Sequence, residues 1–397
     1  MMNKTDKRWL VAPLLLAAVV LTLTTLVAGE THTWDDEADF DGGDWEATLW
    51  DGGEDGITLT GKATLWKHRD NPLITEGADT AWDDAGVMEP CVVFAKGQYH
   101  VYYTGYDGSE YAVGLARSED GTSFTKYGSS AVVSKGGSGT YDGTGCREPS
   151  VIYEDGLFKM WYTGLNGVVE SIAYATSKDG LSWTKYGSNP VLSQPSSTAW
   201  GDTTFGDPCV VRVDGRYLMY LTGNKASANN KLVGVATSDD GTSWNLHGSN
   251  PIVSTAPSGD FGSYDVCDVA VVRDGPVFRM YYSGRDSSTD KYEMGHAESF
   301  DGFSWVLTKH KVLGLGSTGS FDVTELNSPG VIVGDGGVIH VYYEGNDGTD
   351  HEVGLATYRP WLVRPNPPSN KLLGTGSTYD STHLMDPCVI KTPSGGY

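Results

Sequence analysis

Apolar positions along this chain come in short runs separated by glycine-containing turns, and the runs recur as a set. Each set opens with a solid apolar run. Four are led by an acid–proline pair: Met88-Glu89-Pro90-Cys91-Val92-Val93, Arg147-Glu148-Pro149-Ser150-Val151-Ile152, Gly206-Asp207-Pro208-Cys209-Val210-Val211 and Met385-Asp386-Pro387-Cys388-Val389-Ile390. Cys267-Asp268-Val269-Ala270-Val271-Val272 and Asn327-Ser328-Pro329-Gly330-Val331-Ile332 are looser copies. The second residues of these runs lie 59, 59, 61, 60 and 58 positions apart. Such an unbroken apolar run suits a strand buried on both faces. The next run is aromatic, at 99–103, 158–162, 217–221, 278–282 and 339–343. A third is built on small residues, as in Gly114-Leu115-Ala116 and Gly354-Leu355-Ala356. A Ser-x-Asp-Gly-x-Ser-Trp/Phe segment follows at 118–124, 177–183, 238–244 and 299–305. Its Asp-Gly supplies the positive φ that a tight hairpin requires.

Four antiparallel strands per unit at a fixed period predict an all-β fold, a β-propeller of four-stranded blades. Five repeats of about 59 residues are complete, and a sixth opens at Asp386 and stops at Tyr397. The fifth lacks the hairpin segment and has Tyr358-Arg359-Pro360-Trp361 there. Residues 62–75 match the end of a later unit, so the N-terminal side offers a last strand with which to close a ring, a sixth blade included. The expected domains are a signal peptide or anchor at 1–29, an acidic Gly/Trp-rich extension at 30–61 and the propeller at 62–397.

Lys4, Lys7 and Arg8 precede an almost wholly apolar stretch, and Val27-Ala28-Gly29 offers small residues for cleavage, so export is expected. The apolar stretch is long enough that an uncleaved anchor stays open. The net charge of −23 argues against nucleic acid or an anionic membrane surface as partner. Carbohydrate, a monomeric state and a secreted or cell-surface location are the expectations. No cofactor is expected, with a structural divalent cation such as calcium compatible with the acidity. Cys91, Cys209 and Cys388 share one repeat position. Equivalent positions point the same way, so they are expected as unpaired, small buried hydrophobes. Cys146 and Cys267 complete an odd count of five.

The acid–proline runs, tyrosine-rich second strands, Ser-x-Asp-Gly turns and Asn-Pro segments over 62–397 resemble the arabinanase, β-xylosidase and invertase superfamily. These are the propeller glycoside hydrolases that include glycoside hydrolase families 32 and 43. The resemblance implies five blades and a funnel surrounded by carboxylates at the starts of innermost strands. Family 43 uses an Asp base, an Asp modulator and a Glu acid. Carried by position, the catalytic candidates are Glu89, Glu148 and Asp207, with types Glu, Glu, Asp. Arg147-Glu148-Pro149 is similar to the Arg-Asp-Pro of the invertase families, with Glu for Asp. A second register, Asp207, Asp268 and Glu325, has the family 43 order of types, but Glu325 lies three residues before its repeat position.

Glycoside hydrolysis needs one protonated and one ionised carboxyl flanking the bond. Crowded carboxylates push one another's proton affinities apart, which suits that division. Arg147 is the one cation at its repeat position and suits a carboxylate or a sugar hydroxyl as partner. Asp268 joins the ring as a binding candidate. An acid shared by most units also fits a purely architectural role, bonding the next blade's backbone. Seven residues ahead of each acid stands an aromatic; Trp82, Tyr141 and Trp200 are sugar-stacking candidates, with blade packing as the alternative. His383 is a weaker candidate for the funnel. A glycoside hydrolase-like enzyme is the leading reading, and a non-catalytic carbohydrate-binding or cell-surface propeller the other.

Overall fold

A computed structural model describes residues 65–358 apart from 168, 195–199, 201–203, 226–229 and 287–288, together with Trp45–Leu49 and Ile57–Gly61. The last two pair as antiparallel strands. Residues 1–29 and the unit opening at Asp386, with His383 and Cys388, lie outside the described residues.

Ala63–Pro360 form one compact unit. Its first four sheets open on Gly86–Ala95, Gly145–Glu154, Thr204–Val213 and Asp265–Asp274. In each, two further long strands and a two-residue fourth strand follow in antiparallel order, and a single parallel bridge, Tyr111–Gly145, links the first two into one nine-stranded sheet. The fifth sheet runs Glu325–Val333, Ile339–Asn346, His351–Tyr358 and then Trp66–Lys67. The N-terminal strand therefore completes the fifth unit and is not held for a sixth. The sequence offers a local reason: the fifth unit has no Asp-Gly turn after Tyr358, and Trp66–Lys67 pairs with Ala356 and Thr357. The five opening strands pack against one another in a closed circuit, the fifth against the first. This is a β-propeller. The hairpin glycines Gly121, Gly180, Gly241 and Gly302 carry φ of 77°, 78°, 79° and 78°, the conformation that the Asp-Gly pairs predicted.

The core lies between sheets, where the aromatic second strands bury Tyr102, Tyr103, Trp161, Tyr162, Tyr281 and Tyr282. The aromatics ahead of the acids belong to this packing. Trp82 stacks on Tyr103 at 5.8 Å between centroids, and a Cβ at Gly105 would fall 2.2 Å from its ring. Trp200 is buried against Phe205. The Tyr141 hydroxyl sits 2.9 Å from Asn189 Nδ2 and 3.1 Å from Tyr162 Oη. The aspartates that follow three of these aromatics are clamps. Asp83 accepts from Tyr103 Oη (3.0 Å) and Lys126 Nζ (2.7 Å). Asp322 accepts from Tyr343 Oη at 2.9 Å and pairs with Lys67 Nζ at 2.6 Å. Each clamp joins a second strand to the outermost one.

The acid–proline motif has a backbone cause. Every opening strand carries one extra residue relative to its partner at this point, between Met88 and Cys91, Arg147 and Ser150, Gly206 and Cys209, Cys267 and Ala270, and Asn327 and Gly330. At each bulge the second motif residue is left-handed: φ is 53° at Glu89, 56° at Glu148, 52° at Asp207, 46° at Asp268 and 48° at Ser328. A bulge interrupts the ladder, so proline's missing N–H costs no strand bond there. It also re-aims the preceding side chain, here into the ring. Left-handed φ on a non-glycine residue costs about 1–3 kcal/mol; because all five sheets share it, the strain belongs to the architecture.

One position beyond the proline, side chains tie neighbouring opening strands together. Cys91 Sγ accepts from Val151 N–H (3.1 Å), Ser150 Oγ from Val210 N–H (2.9 Å) and Cys209 Sγ from Val271 N–H (3.2 Å). Cys91 and Cys209 are unpaired, but they are half-buried hydrogen-bond acceptors rather than fully buried apolar fillers. Burial pushes their thiols up to about 11 and about 12. Both should resist a thiol reagent at pH 8 in the folded chain and react after denaturation. Rapid labelling of either in the native protein would contradict this packing.

Candidate active site

Because each bulge points its residue at the axis, the side chains at 89, 148, 207, 268 and 328 meet at the floor of one cavity of about 320 Å³. One carboxyl oxygen each from Glu89, Glu148 and Asp207 lies within 4.8 Å of the others. The three residues chosen by repeat position are thus brought together. Asp268 and Arg147 line the same cavity. Trp82, Tyr141 and Trp200 do not; their place is within the blades. Glu325 is also outside the lining, so the Asp207–Asp268–Glu325 register is not assembled as a site.

The carboxyls do two jobs at once. Glu89 Oε2 accepts from Glu148 N–H at 3.1 Å, and Glu148 Oε2 accepts from Asp207 N–H at 2.7 Å. The architectural role foreseen for a shared acid therefore exists, on one oxygen of each. The other oxygen faces Arg147. Its Nη2 lies 3.0 Å from Glu148 Oε1 and 2.6 Å from Glu170 Oε1, and its Nη1 lies 3.8 Å from Glu89 Oε1. Glu148 is fully committed to donors, whereas Glu89 meets the guanidinium only at longer range. Oxygen donors of this kind also suit a hard cation, but the positive charge that meets them here is Arg147's.

Proton affinities in the cavity split as the chemistry requires. Burial, then the charge of Glu148, pushes Glu89 up to about 8 against the pull of Arg147. Burial and the charges of Asp268 and Glu148 raise Asp207 well above the carboxylate range. Asp207 shares its proton with Asp268. Burial acts to raise Asp268 as well, but Lys231 and the hydrogen bonds from Asp207, Cys267 and Ser283 outweigh it and hold it low. Asp207 is a proton-bearing acid beside an ionised carboxylate, and Glu89 is a carboxyl close to neutrality.

Three lining residues, Glu170, Lys231 and Glu344, were not singled out from the sequence. Glu170 and Lys231 mark the inner start of the third run, where Tyr111, Glu170, Lys231, Tyr292 and His351 vary in chemistry ahead of a regular segment. Glu344 replaces the hydroxyl that the second run carries at Thr104, Thr163, Thr222 and Ser283. Variation at a fixed place in an otherwise regular repeat was the available signal.

The sequence model of the glycosyl hydrolases family 32 N-terminal domain matches residues 89–303, more than half of the chain. An uncharacterised protein of Mycobacterium tuberculosis is 29% identical over 217 residues, covering 51% of this chain and 68% of that protein. A 1,2-beta-oligomannan phosphorylase of Thermoanaerobacter is 24% identical over 192 residues, 46% of this chain and 58% of that enzyme. Among solved structures, a glycosyl hydrolase from Bacteroides ovatus superposes with TM-score 0.61 at 21% identity, over 80% of this chain and 98% of that one. The matched span opens on Glu89 and includes Glu148 and Asp207, and the chain belongs to the glycosyl hydrolases family 32 N-terminal domain family.

Proposed function

We propose that this protein cleaves glycosidic bonds in an oligo- or polysaccharide with water, by carboxyl acid–base chemistry. Asp207 gives its proton to the leaving oxygen, and Glu89 acts once ionised, as base or nucleophile. Arg147 and Glu148 hold the two in place. The observation that carries this reading is the meeting of three carboxyls within 4.8 Å at the cavity, at a repeat position where the fifth sheet carries only Ser328. Export is part of the proposal, supported by the basic and then apolar residues 1–29.

The Thermoanaerobacter relative motivates a second reading, phosphorolysis. The cavity's charge favours water. Glu89, Glu148, Glu170, Asp207, Asp268 and Glu344 face only Arg147 and Lys231, and a phosphate dianion would meet net negative potential. Incubation with arabinans, xylans, fructans, β-1,2-linked mannosides and aryl glycosides, with and without inorganic phosphate, separates the readings. The proposal expects free reducing sugar at a rate that phosphate does not raise. Sugar 1-phosphate as product would replace it with phosphorolysis, and binding without turnover on any substrate would replace it with a non-catalytic carbohydrate-binding propeller.

The pH dependence is also fixed in sign. A base must be ionised in the free enzyme, so kcat/KM should rise as pH passes through about 8, where Glu89 loses its proton. It should fall again when Asp207 loses its own. A profile whose rising limb lies near pH 4–5 would show that Glu89 is not the titrating group.

A further inference from the structure

We infer that Glu344, locked by His351, is a positioning residue for Glu89: it anchors the backbone that aims the Glu89 carboxyl and places a negative charge beside it. This rests on the reading of Glu89 as a reacting group. The starting observation is a break in the repeat. At the end of the second strand of the other four sheets stands a hydroxyl, and in three of them its oxygen accepts the N–H of the next bulge. Thr104 does so for Glu148 (2.9 Å), Thr222 for Asp268 (3.1 Å) and Ser283 for Ser328 (2.9 Å). In the remaining one, Thr163 Oγ1 has no partner and the Asp207 N–H donates to Glu148 Oε2 instead. The fifth sheet does the same job with a carboxylate: Glu89 N–H donates to Glu344 Oε2 at 3.3 Å. A hydroxyl would suffice for the architecture. The carboxylate adds a charge at the cavity wall, beside Glu89 and no other member of the cluster's backbone.

The second oxygen of Glu344 is held by a network with one direction. Asn346 Oδ1 accepts from Gly348 N–H, while the one Thr324 hydroxyl proton is shared between the Asn346 backbone carbonyl (2.7 Å) and Oδ1 (2.9 Å). The Asn346 amide nitrogen therefore faces His351 Nε2, at 2.6 Å, and donates to it. That leaves the His351 proton on Nδ1, which donates to Glu344 Oε1 at 2.7 Å. The chain Thr324–Asn346–His351–Glu344 thus fixes the carboxylate by both oxygens and delivers it to Glu89 at the start of the first sheet. A second proton on His351, at Nε2, would confront the Asn346 amide donor.

The groups facing Glu89 are Glu148 and Arg147 from the second sheet, Tyr111 from its own, and Glu344 and His351 from the fifth. Glu344 itself faces His351, and His351 also feels Glu325. Among them Glu148 and Glu344 act against ionisation of Glu89 and Arg147 acts for it. Of the two acids, Glu148 is bound to Arg147 and to the Asp207 N–H, so Glu344 is the one that can be altered without dismantling the cluster.

The test is Glu344→Thr, which restores the hydroxyl of the other sheets and keeps an acceptor for Glu89 N–H. Glu344→Gln is the second variant, isosteric with the native side chain, should the first fail to fold. Glu89 is followed directly by carboxyl-carbon NMR titration, and kcat/KM is profiled against pH. Loss of the charge should move the Glu89 midpoint down from about 8 by about one unit, and the rising limb of the profile should follow. A folded variant whose Glu89 midpoint stays in place overturns the inference. Because the titration needs no turnover, it also separates two failures. A wild type inactive on every substrate, with a midpoint that moves, ends the hydrolase reading and leaves the Glu344–Glu89 coupling standing. Turnover with an unmoved midpoint and profile does the reverse.

Discussion

Asp207→Asn and Glu89→Gln should each lower turnover of a cleaved glycoside by about 10²–10⁴-fold, the range of general acid–base assistance. Each amide keeps the shape of its parent and an acceptor oxygen, so the Glu148 N–H that Glu89 receives keeps its partner. What disappears is the titrating proton. Sugar binding should survive in both. The two variants should also behave oppositely to catalysis in stability. The folded state raises Glu89 to about 8, above the ordinary carboxyl range, so folding holds a proton that the unfolded chain would release. Between those two values, stability falls as pH rises. Glu89→Gln removes that penalty, and its melting temperature should exceed the wild type's at pH 8, with the difference shrinking toward pH 4. Retained activity in both amide variants would remove these residues from the chemistry.

Arg147→Met should be the most destabilising change at the site. One guanidinium serves Glu89, Glu148 and Glu170, with its side chain about three-quarters buried. Removing one partner from a buried ionic group typically costs about 3–5 kcal/mol, because the remaining charges are left without compensation. The sign of the pH dependence follows. Burial already raises Glu170 and Glu89, and Arg147 is the group that opposes it. Without it their folded-state proton affinities rise further above the unfolded values, so the penalty is greatest at high pH and lessens as pH falls and they protonate. Denaturant midpoints of wild type and Arg147→Met between pH 5 and 9 measure this. A difference that is constant across that range would mean that Arg147 acts through packing alone.

The fold was legible because a propeller repeats its physics. Each bulge, hairpin glycine and aromatic second strand solves the same local problem, so the period in the sequence maps directly onto the sheets. The ring of inward-facing acids was legible for the same reason, since position in the repeat sets direction in space. Repetition also misled. The aromatics at 82, 141 and 200 recur because they pack within the blades, Trp82 and Tyr141 against second-strand tyrosines and Trp200 against Phe205 of an opening strand, and none of them lines the cavity. The strand at Trp66–Lys67 looked available to a sixth unit, but the fifth, lacking its Asp-Gly turn, takes it. Glu170, Lys231 and Glu344 were missed because strand pairing brings them to the funnel, and no spacing along the chain states that. Their departure from the repeat did mark them. In a repeat protein, regular positions report folding, and the exceptions at inward-facing positions report chemistry.

The most direct measurement is the structure of the Asp207→Asn variant with an oligosaccharide that the wild type cleaves. The account predicts sugar in the 320 Å³ cavity. The glycosidic oxygen should lie within hydrogen-bond reach of the side chain at 207, and the anomeric carbon should face Glu89. Sugar bound elsewhere on the blades, or a scissile bond out of reach of both positions, would contradict it.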